Sequence, residues 1–352
     1  MKKKFVRLEK NEVAGPECTV ICGDCREELA HLRGQVDLIV TSPPYADARH
    51  KHYDSIHPDN FADWFLTFHE PFFEALKPTG SLVINIKDKV VNGVKHRYVW
   101  HTIEALCKRG WLPIEDYIWY KPNPMPGFWP NRLSDGWEYC FHLAKQVKPY
   151  FNHEGVKKPI GEWAETRLSK LSDNDVSRHN SANQSGFGRD LSRWVGKKKV
   201  LPGNVITSAV VGKNKRHPAV YPMDLPDFFI RLLCPENGLV VDPFAGSGTT
   251  GIAALLSNRN CLLIDNQLSY CEIAMERLEQ EAKACLKIEA VNGHPHTVYP
   301  TVLFQSRLLE NEAGLSLADG EGDAVGGAGF VAVPQDNDEA EGVGPGRERR
   351  CY

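Results

Sequence analysis

The sequence predicts an α/β fold built on a mostly parallel sheet with covering helices. Three observations carry that expectation. Short apolar runs alternate with stretches of helical periodicity. Two of the runs, residues 36–40 and 239–241, are almost wholly apolar, as in strands buried on both faces. Each is followed at once by an abrupt turn, Thr41-Ser42-Pro43-Pro44-Tyr45 after the first and Asp242-Pro243-Phe244-Ala245-Gly246-Ser247-Gly248-Thr249-Thr250 after the second.

In chain order, residues 19–22 predict a short strand ending at Gly23-Asp24, and 36–40 a strand interrupted only by Asp37. Residues 61–76 place aromatic and aliphatic side chains at helical spacing, with a stop near Pro78-Thr79-Gly80. Strands follow at 81–86, 114–120 and 137–143, with a helix over 100–109 that stops at Gly110. The stretch 152–216 is rich in Lys, Arg, Ser, Asn and Gly and weakly periodic, which predicts an insertion with its own role. The sheet pattern resumes with 239–241 and 261–265, each followed by a helix, over 250–256 and 270–286. Beyond about residue 310 large apolar residues are few, and disorder is expected. The organisation read from this is 1–151, 152–216, 217–290 and an acidic tail, 310–352.

Of 352 residues, 42% are hydrophobic and 25% charged, enough for a sizeable core. No run of about 18 apolar residues occurs, so no membrane span is expected. The basic start lacks the apolar run of a signal peptide, and ten cysteines without framework spacing favour reduced thiols and a cytoplasmic setting. The net charge of −3 hides an asymmetry. Residues 152–216 carry 13 Lys or Arg against 6 Asp or Glu, whereas 310–352 carry 3 against 10. A basic middle suits a polyanion.

The glycine turn holds Gly246, Gly248 and Gly251 between a strand and a helix, where bare backbone approaches a ligand closely and the helix offers free N–H groups. Asp265 ends the next strand, placed to accept from ribose hydroxyls. A nicotinamide dinucleotide fits that spacing, although Asp242-Pro243-Phe244 is an unusual lead-in and little sheet is expected after the turn. The proline turn has lost two backbone donors. It keeps rigid carbonyl acceptors, the Ser42 hydroxyl and the Tyr45 ring, a set that suits a planar ring bearing an amino group. Accepting both N–H bonds of such an amine favours a pyramidal nitrogen with its lone pair free to attack. Cys18, Cys22 and Cys25 have a spacing reminiscent of cluster ligands. Residues 19–22 read as a strand, however, and no metal is expected.

With both turns present, the chain resembles the amino-group DNA methyltransferases of the permuted β class, in which a Ser/Asp-Pro-Pro-Tyr turn precedes the glycine turn. Trp119-Tyr120-Lys121-Pro122-Asn123-Pro124-Met125-Pro126, Trp137-Glu138-Tyr139 and His217-Pro218-Ala219-Val220-Tyr221-Pro222 also match that pattern. The resemblance implies a circularly permuted, Rossmann-like methyltransferase fold that uses S-adenosyl-L-methionine. Phe244, Gly246, Ser247, Gly248 and Thr249 would line the cofactor, with Asp242 near its amino-acid end, Asp265 at the ribose and Asp24 near the adenine. Ser42, Pro43, Pro44 and Tyr45 would hold the target amine of a flipped base. Target recognition would fall in 152–216, where Arg189, Lys197, Lys198 and Lys199 suit phosphate contact. Double-stranded DNA is the implied partner, with a cognate restriction enzyme as a second and a monomer or homodimer as the assembly. No Pro-Cys dipeptide occurs, which argues against cytosine C5 chemistry. Serine at position 42 leans toward cytosine N4, with adenine N6 as the alternative. A nicotinamide-dependent oxidoreductase and a DNA-binding module with a decayed site are the rivals from other classes.

Overall fold

Seen in a computed structural model, the chain is described over residues 12–47, 56–124, 126–127, 130–172, 191–210, 221–284, 287–291 and 294–306. All of these lie in the compact unit Met1–Asn311. Arg189, the segment 217–220 and the acidic tail fall outside the described residues. The elements run β1 (Glu12–Cys22), α1 (Cys25–Leu29), β2 (Val36–Thr41), α2 (Pro58–Leu66), α3 (His69–Ala75), β3 (Leu76–Ile86), β4 (Lys89–Val91), β5 (Val94–His96), α4 (Tyr98–Lys108), β6 (Leu112–Tyr120) and β7 (Trp137–Ala144). They continue with β8 (Lys158–Pro159), α5 (Glu162–Leu168), β9 (Lys199–Val200), β10 (Val205–Thr207), α6 (Asp224–Leu233), β11 (Leu239–Asp242), α7 (Thr249–Leu256), β12 (Asn260–Asp265), α8 (Leu268–Ala284), β13 (Lys287–Val291) and β14 (His294–Ser306).

Ten strands form one sheet in the order β10-β6-β7-β3-β2-β11-β12-β1-β14-β13. The pairings from β3 through β2, β11, β12 and β1 to β14 are parallel, and β7 runs antiparallel to both β3 and β6. Alternate side chains feed two cores. Leu38, Val40, Val240, Cys261 and Leu263 pack under α6, α7 and α8 on one face, while Ile39, Val241, Leu262 and Ile264 pack under α2, α3 and α4 on the other. Helix α6 shows why it docks: Leu225, Phe229, Ile230, Leu232 and Leu233 are buried, with acids in its first turn and Arg231 in its last.

The central pair β2 and β11 is short, with Val240 opposite Leu38 and Val241 opposite Ile39. Two buried carboxylates fasten it. At one end Asp37 accepts from the Leu239 backbone N–H at 2.9 Å and from Lys77 at 2.7 and 2.8 Å. At the other, Thr41 donates to Asp242 at 2.6 Å. Helix α7 leaves β11 toward one face, and α2 and α3 follow β2 on the other. A crevice therefore opens beyond the carboxyl ends of these two strands, where open α/β sheets take their ligands.

The structure departs from the sequence expectation at three places. The helix expected over 61–76 is two helices, separated where Thr67 turns its hydroxyl back to the Trp64 carbonyl at 2.7 Å. Residues 76–80 belong to β3 rather than to a helix end, because Pro78 cannot sit in a helix interior and Gly80 passes so near β2 that a Cβ there would lie 3.0 Å from the Val36 carbonyl. Strands β13 and β14 extend the sheet beyond β1, so more sheet follows the glycine turn than expected; Pro295 and Pro300 inside β14 conceal it as a strand.

Replacing Asp37 with Ala strands the Leu239 N–H and the Lys77 ammonium. Urea unfolding is expected to show a loss of about 2–3 kcal/mol, and an unchanged midpoint would show that this end of the pair carries no load.

Candidate active site

The two turns stand side by side at one edge of the sheet. Thr41 ends β2, Asp242 ends β11, and their hydrogen bond joins chain positions 201 residues apart. Asp242 is 1% exposed. Besides Thr41 it accepts from the Phe244 backbone at 3.2 Å, Tyr221 at 3.2 Å and Thr250 at 2.5 Å. Burial raises its pKa against those four donors. Asp242, expected near the cofactor, has its carboxylate enclosed by these donors and clamps the two corners together.

The glycine corner divides its residues between turn and packing. Gly246 adopts a left-handed φ of 51° and donates its N–H to Asp265 at 2.9 Å. Gly248 caps α7 at φ 77°, and a Cβ there would lie 2.9 Å from that of Ala274 in α8. Ser247 and Thr249 were expected at the ligand, yet both are buried and both hydroxyls accept from Arg277 of α8, at 2.7 and 3.2 Å. Their side chains brace the turn from behind. Phe244 is half-buried, its ring held edge-on by Phe68 at 5.1 Å and tilted against Trp64 at 6.1 Å.

Two more carboxylates line the edge. Asp265 ends β12 and accepts from the backbone of Gly246 and of Gln267, both at 2.9 Å. Burial pushes its pKa up to about 6, against the pull of those two N–H groups. Asp24 follows β1, caps α1 through the Arg26 N–H at 2.9 Å, and is held below the usual carboxylate range by its hydrogen bonds to the Arg26 guanidinium. The Gly23 N–H bonds the Asp265 carbonyl at 3.0 Å, so the two carboxylates occupy adjoining strand ends. Asp265 keeps lone pairs beyond those that Gly246 and Gln267 engage, whereas those of Asp24 are all engaged by the Arg26 backbone and guanidinium. With the half-buried Phe244, the backbone at Gly246 and the free lone pairs of Asp265, this rim fits an adenosyl group.

The proline corner is held by residues that sequence reasoning left without a role. Ser42 donates to the Tyr45 hydroxyl at 3.3 Å, and Tyr45 donates to Glu138 of β7 at 2.6 Å, with Asn85 of β3 at 3.2 Å. Lys121, just past β6, closes on the other Glu138 oxygen, and its ammonium lies 4.5 Å from the Trp119 ring centroid. Lys121 and Glu138 are 8% and 5% exposed, a buried ion pair at the sheet edge. Burial, then the neighbouring Glu138 charge, drives the Tyr45 pKa well up, so it remains a hydroxyl. The signal available in the sequence was a lone glutamate between Trp137 and Tyr139.

Lys197, Lys198 and Lys199 are exposed beside Trp194, over whose ring Lys197 lies at 4.7 Å. Cys18 and Cys22 face one core and Cys25 the other. Among the described residues no group of three or more His, Cys, Asp or Glu side chains has the arrangement to hold a metal ion, and no helix is long and apolar enough to cross a membrane.

Asp265 gives a pH signature. Its native pKa lies above the unfolded value, near about 4, so the native state holds the proton more tightly. The stability this contributes is complete below about pH 4 and is lost as the pH rises through about 6. Thermal unfolding of the wild type and of Asp265→Asn should show the wild type losing ground to the variant between those pH values. A constant difference would mean that Asp265 ionises as an ordinary aspartate.

Known proteins resemble this chain. The chain is 29% identical over 272 residues to the type II methyltransferase M.PvuII of Proteus hauseri, covering 70% of this chain and 80% of that one. It is 27% identical over 296 residues to the type II methyltransferase M.SmaI of Serratia marcescens, covering 74% and 90%. The solved PvuII DNA methyltransferase, described as cytosine-N4-specific, superposes with a TM-score of 0.56 at 23% identity over 77% of this chain and 94% of that chain, a likeness of fold. Residues 36–276, containing both corners and the sheet that joins them, match the profile of the DNA methylases of N6 and N4 type, and the chain belongs to that family.

Proposed function

We propose that this DNA methyltransferase modifies the exocyclic N4 amine of cytosine, flipped from duplex DNA into the proline corner. The observation that carries the reading is the 2.6 Å bond between Thr41 and Asp242, which sets the two corners against each other across adjacent parallel strands. S-Adenosyl-L-methionine supplies an electrophilic methyl group when bound. Asp265, Asp24, Phe244 and the backbone at Gly246 are the residues proposed to hold it, and Ser42 to Tyr45 those that hold the amine.

The direction of the hydrogen bonds gives Ser42 its task. Glu138 accepts from Tyr45, Tyr45 accepts from Ser42, and the Ser42 oxygen is left with acceptor capacity toward the crevice. Together with the proline-corner carbonyls it accepts the N–H bonds of the target amine and draws the nitrogen toward a pyramidal shape. Lys121 keeps Glu138 an acceptor. Serine at position 42 and the likeness to a cytosine-N4 enzyme support cytosine over adenine. The exposed lysines 197–199 with Trp194 support contact with the DNA backbone; Arg189, assigned the same part, lies outside the described residues. The likeness to type II enzymes supports a cognate restriction enzyme as partner and a cytoplasmic setting.

Incubation with methyl-labelled cofactor and mixed-sequence DNA, followed by mass spectrometry of the nucleosides, is expected to place the label in N4-methyldeoxycytidine. Label in N6-methyldeoxyadenosine would overturn the choice of base, and unlabelled DNA would overturn the reading.

Ser42→Ala is expected to lower turnover by about a hundredfold while cofactor affinity by calorimetry stays within about twofold. Glu138→Gln, whose amide can donate to Tyr45 and reverse the chain, should lower kcat by about tenfold or more with KM for the cofactor unchanged. Full turnover in either variant would remove that residue from the mechanism.

A further inference from the structure

A second cavity, of about 320 Å³, opens at the same end of the sheet between the end of β3, the β4–β5 hairpin and residues 132–137. Neither corner lines it. It adjoins the proline corner through two contacts: Lys89 at the root of the hairpin donates to the Asp47 carbonyl at 2.9 Å, and Asn85 donates to the Tyr139 carbonyl at 3.0 Å. Asp88 lies in its wall with its side chain 2% exposed, and neither carboxylate oxygen accepts a hydrogen bond. The Lys95 ammonium is 3.3 Å from one of them and 5.3 Å from the centroid of the Trp137 ring. Trp137 is 39% exposed, and Lys87 and Arg132 also line the cavity.

A buried carboxylate whose one ionic partner, Lys95, leaves both oxygens without an aligned hydrogen bond is unfavourable, and the chemistry that relieves it is specific. Asp88 offers two acceptors side by side, and Lys95 sets a donor beside them. The complement is an acceptor followed by two donors. Among the bases that is the pairing edge of guanine, with O6, N1–H and the 2-amino group. Thymine alternates acceptor, donor, acceptor, and adenine and cytosine each lead with a donor. Trp137 presents an aromatic face of the kind on which an unstacked base lies. Lys87, ion-paired with Asp135 at 3.4 Å, also stands in the lining. Both Asp88 oxygens are sealed while Lys95 covers them; Lys95 is 45% exposed at its side chain, so it can swing toward O6 and uncover the carboxylate.

We propose that this cavity binds the pairing edge of an unpaired guanine, with Asp88 accepting from N1–H and the 2-amino group, Lys95 donating to O6 and Trp137 stacking on the ring. The inference rests on the cytosine reading above, because withdrawing a cytosine from duplex DNA leaves a guanine with that edge exposed. A free guanine nucleotide carries the same edge and is the other source.

The test compares wild type and Asp88→Asn on two copies of one DNA, one ordinary and one synthesised with deoxyinosine in place of deoxyguanosine, which removes only the 2-amino group. The wild type is expected to lose about tenfold or more in kcat/KM on the inosine copy. Asp88→Asn should lose a similar factor on ordinary DNA and little further on the inosine copy. Calorimetry with deoxyguanosine monophosphate is the second arm: binding to wild type but not to the variant, without coupling on DNA, assigns the site to a free nucleotide. Equal guanine-to-inosine ratios in both proteins, with no binding of the monophosphate, would overturn the proposal. Label on cytosine from wild type and ordinary DNA, measured in the same series, separates that failure from a failure of the methyltransferase reading. Should Asp88→Asn not fold, Lys95→Met at its exposed position is expected to lose the same factor on ordinary DNA, and unchanged kinetics there would equally count against the site.

Discussion

Everything at the active edge depends on a parallel pairing between two strands that lie about two hundred residues apart in the chain. β2 and β11 share a very short register, and packing alone would leave it open to slippage, which in a sheet exchanges the two faces of a strand. Asp37 and Asp242 remove that freedom from opposite ends. Buried carboxylates are costly unless they are well supplied with donors. Here each is supplied. One donor of each comes from the partner strand, the Leu239 N–H for Asp37 and Thr41 for Asp242, and the rest come from Lys77 of β3, Tyr221, the Phe244 backbone and Thr250. The charges convert an unspecific apolar contact into one register, and that register decides that the proline corner and the glycine corner meet at all.

The same logic runs sideways along the sheet edge. Lys121, Glu138, Asn85, Tyr45 and Thr41 come from five successive segments, β6, β7, β3, the proline turn and β2. Trp119 ties this row to the helical layer, since its indole N–H donates to the Ser208 carbonyl at 2.9 Å and Ser208 donates to Asp224 at the start of α6 at 2.8 Å. In a region of low polarity such a chain polarises in one direction. The direction set by the acid in β7 leaves Ser42 an acceptor, which an isolated turn in water would not guarantee. A site carried on rigid strands keeps that geometry without reorganising when a base arrives.

What the sequence revealed and what it hid follow from the range of the interactions. Strand cores, the helices after them and the two turns are local patterns, so residues 36–41 and 239–250 announced their structure. Glu138 did not, because its partners are Tyr45, 93 residues away, and Lys121 across a strand pair, distances that no periodicity encodes. Ser247 and Thr249 show the complementary effect: nothing in the local pattern of a glycine turn signals that Arg277 arrives from a helix nearly thirty residues on to engage their hydroxyls. β14 was hidden by Pro295 and Pro300, which local rules count against a strand although β1 and β13 flank it on either side. Burial cuts across both sets of candidates: Ser42, Pro44, Tyr45, Asp24, Phe244, Gly246 and Asp265 are partly exposed at the edge, whereas Pro43, Asp242, Ser247, Gly248 and Thr249 are buried.

The reversed order of the corners also has a physical basis. In this chain the strand that presents the amine site precedes the strand that presents the glycine turn, and residues 152–216 with β3 to β7 lie between them. Bringing two strands together across so long a loop costs little more than across a loop half its length, about 0.6 kcal/mol for each doubling. The sheet registers only which strand edges adjoin, not the order in which they were made. An order that looks radical along the chain is therefore a small perturbation of the fold, provided the junction between the distant strands is specific. Asp37 and Asp242 supply that specificity, and the permuted chain can recover one crevice from two widely separated turns.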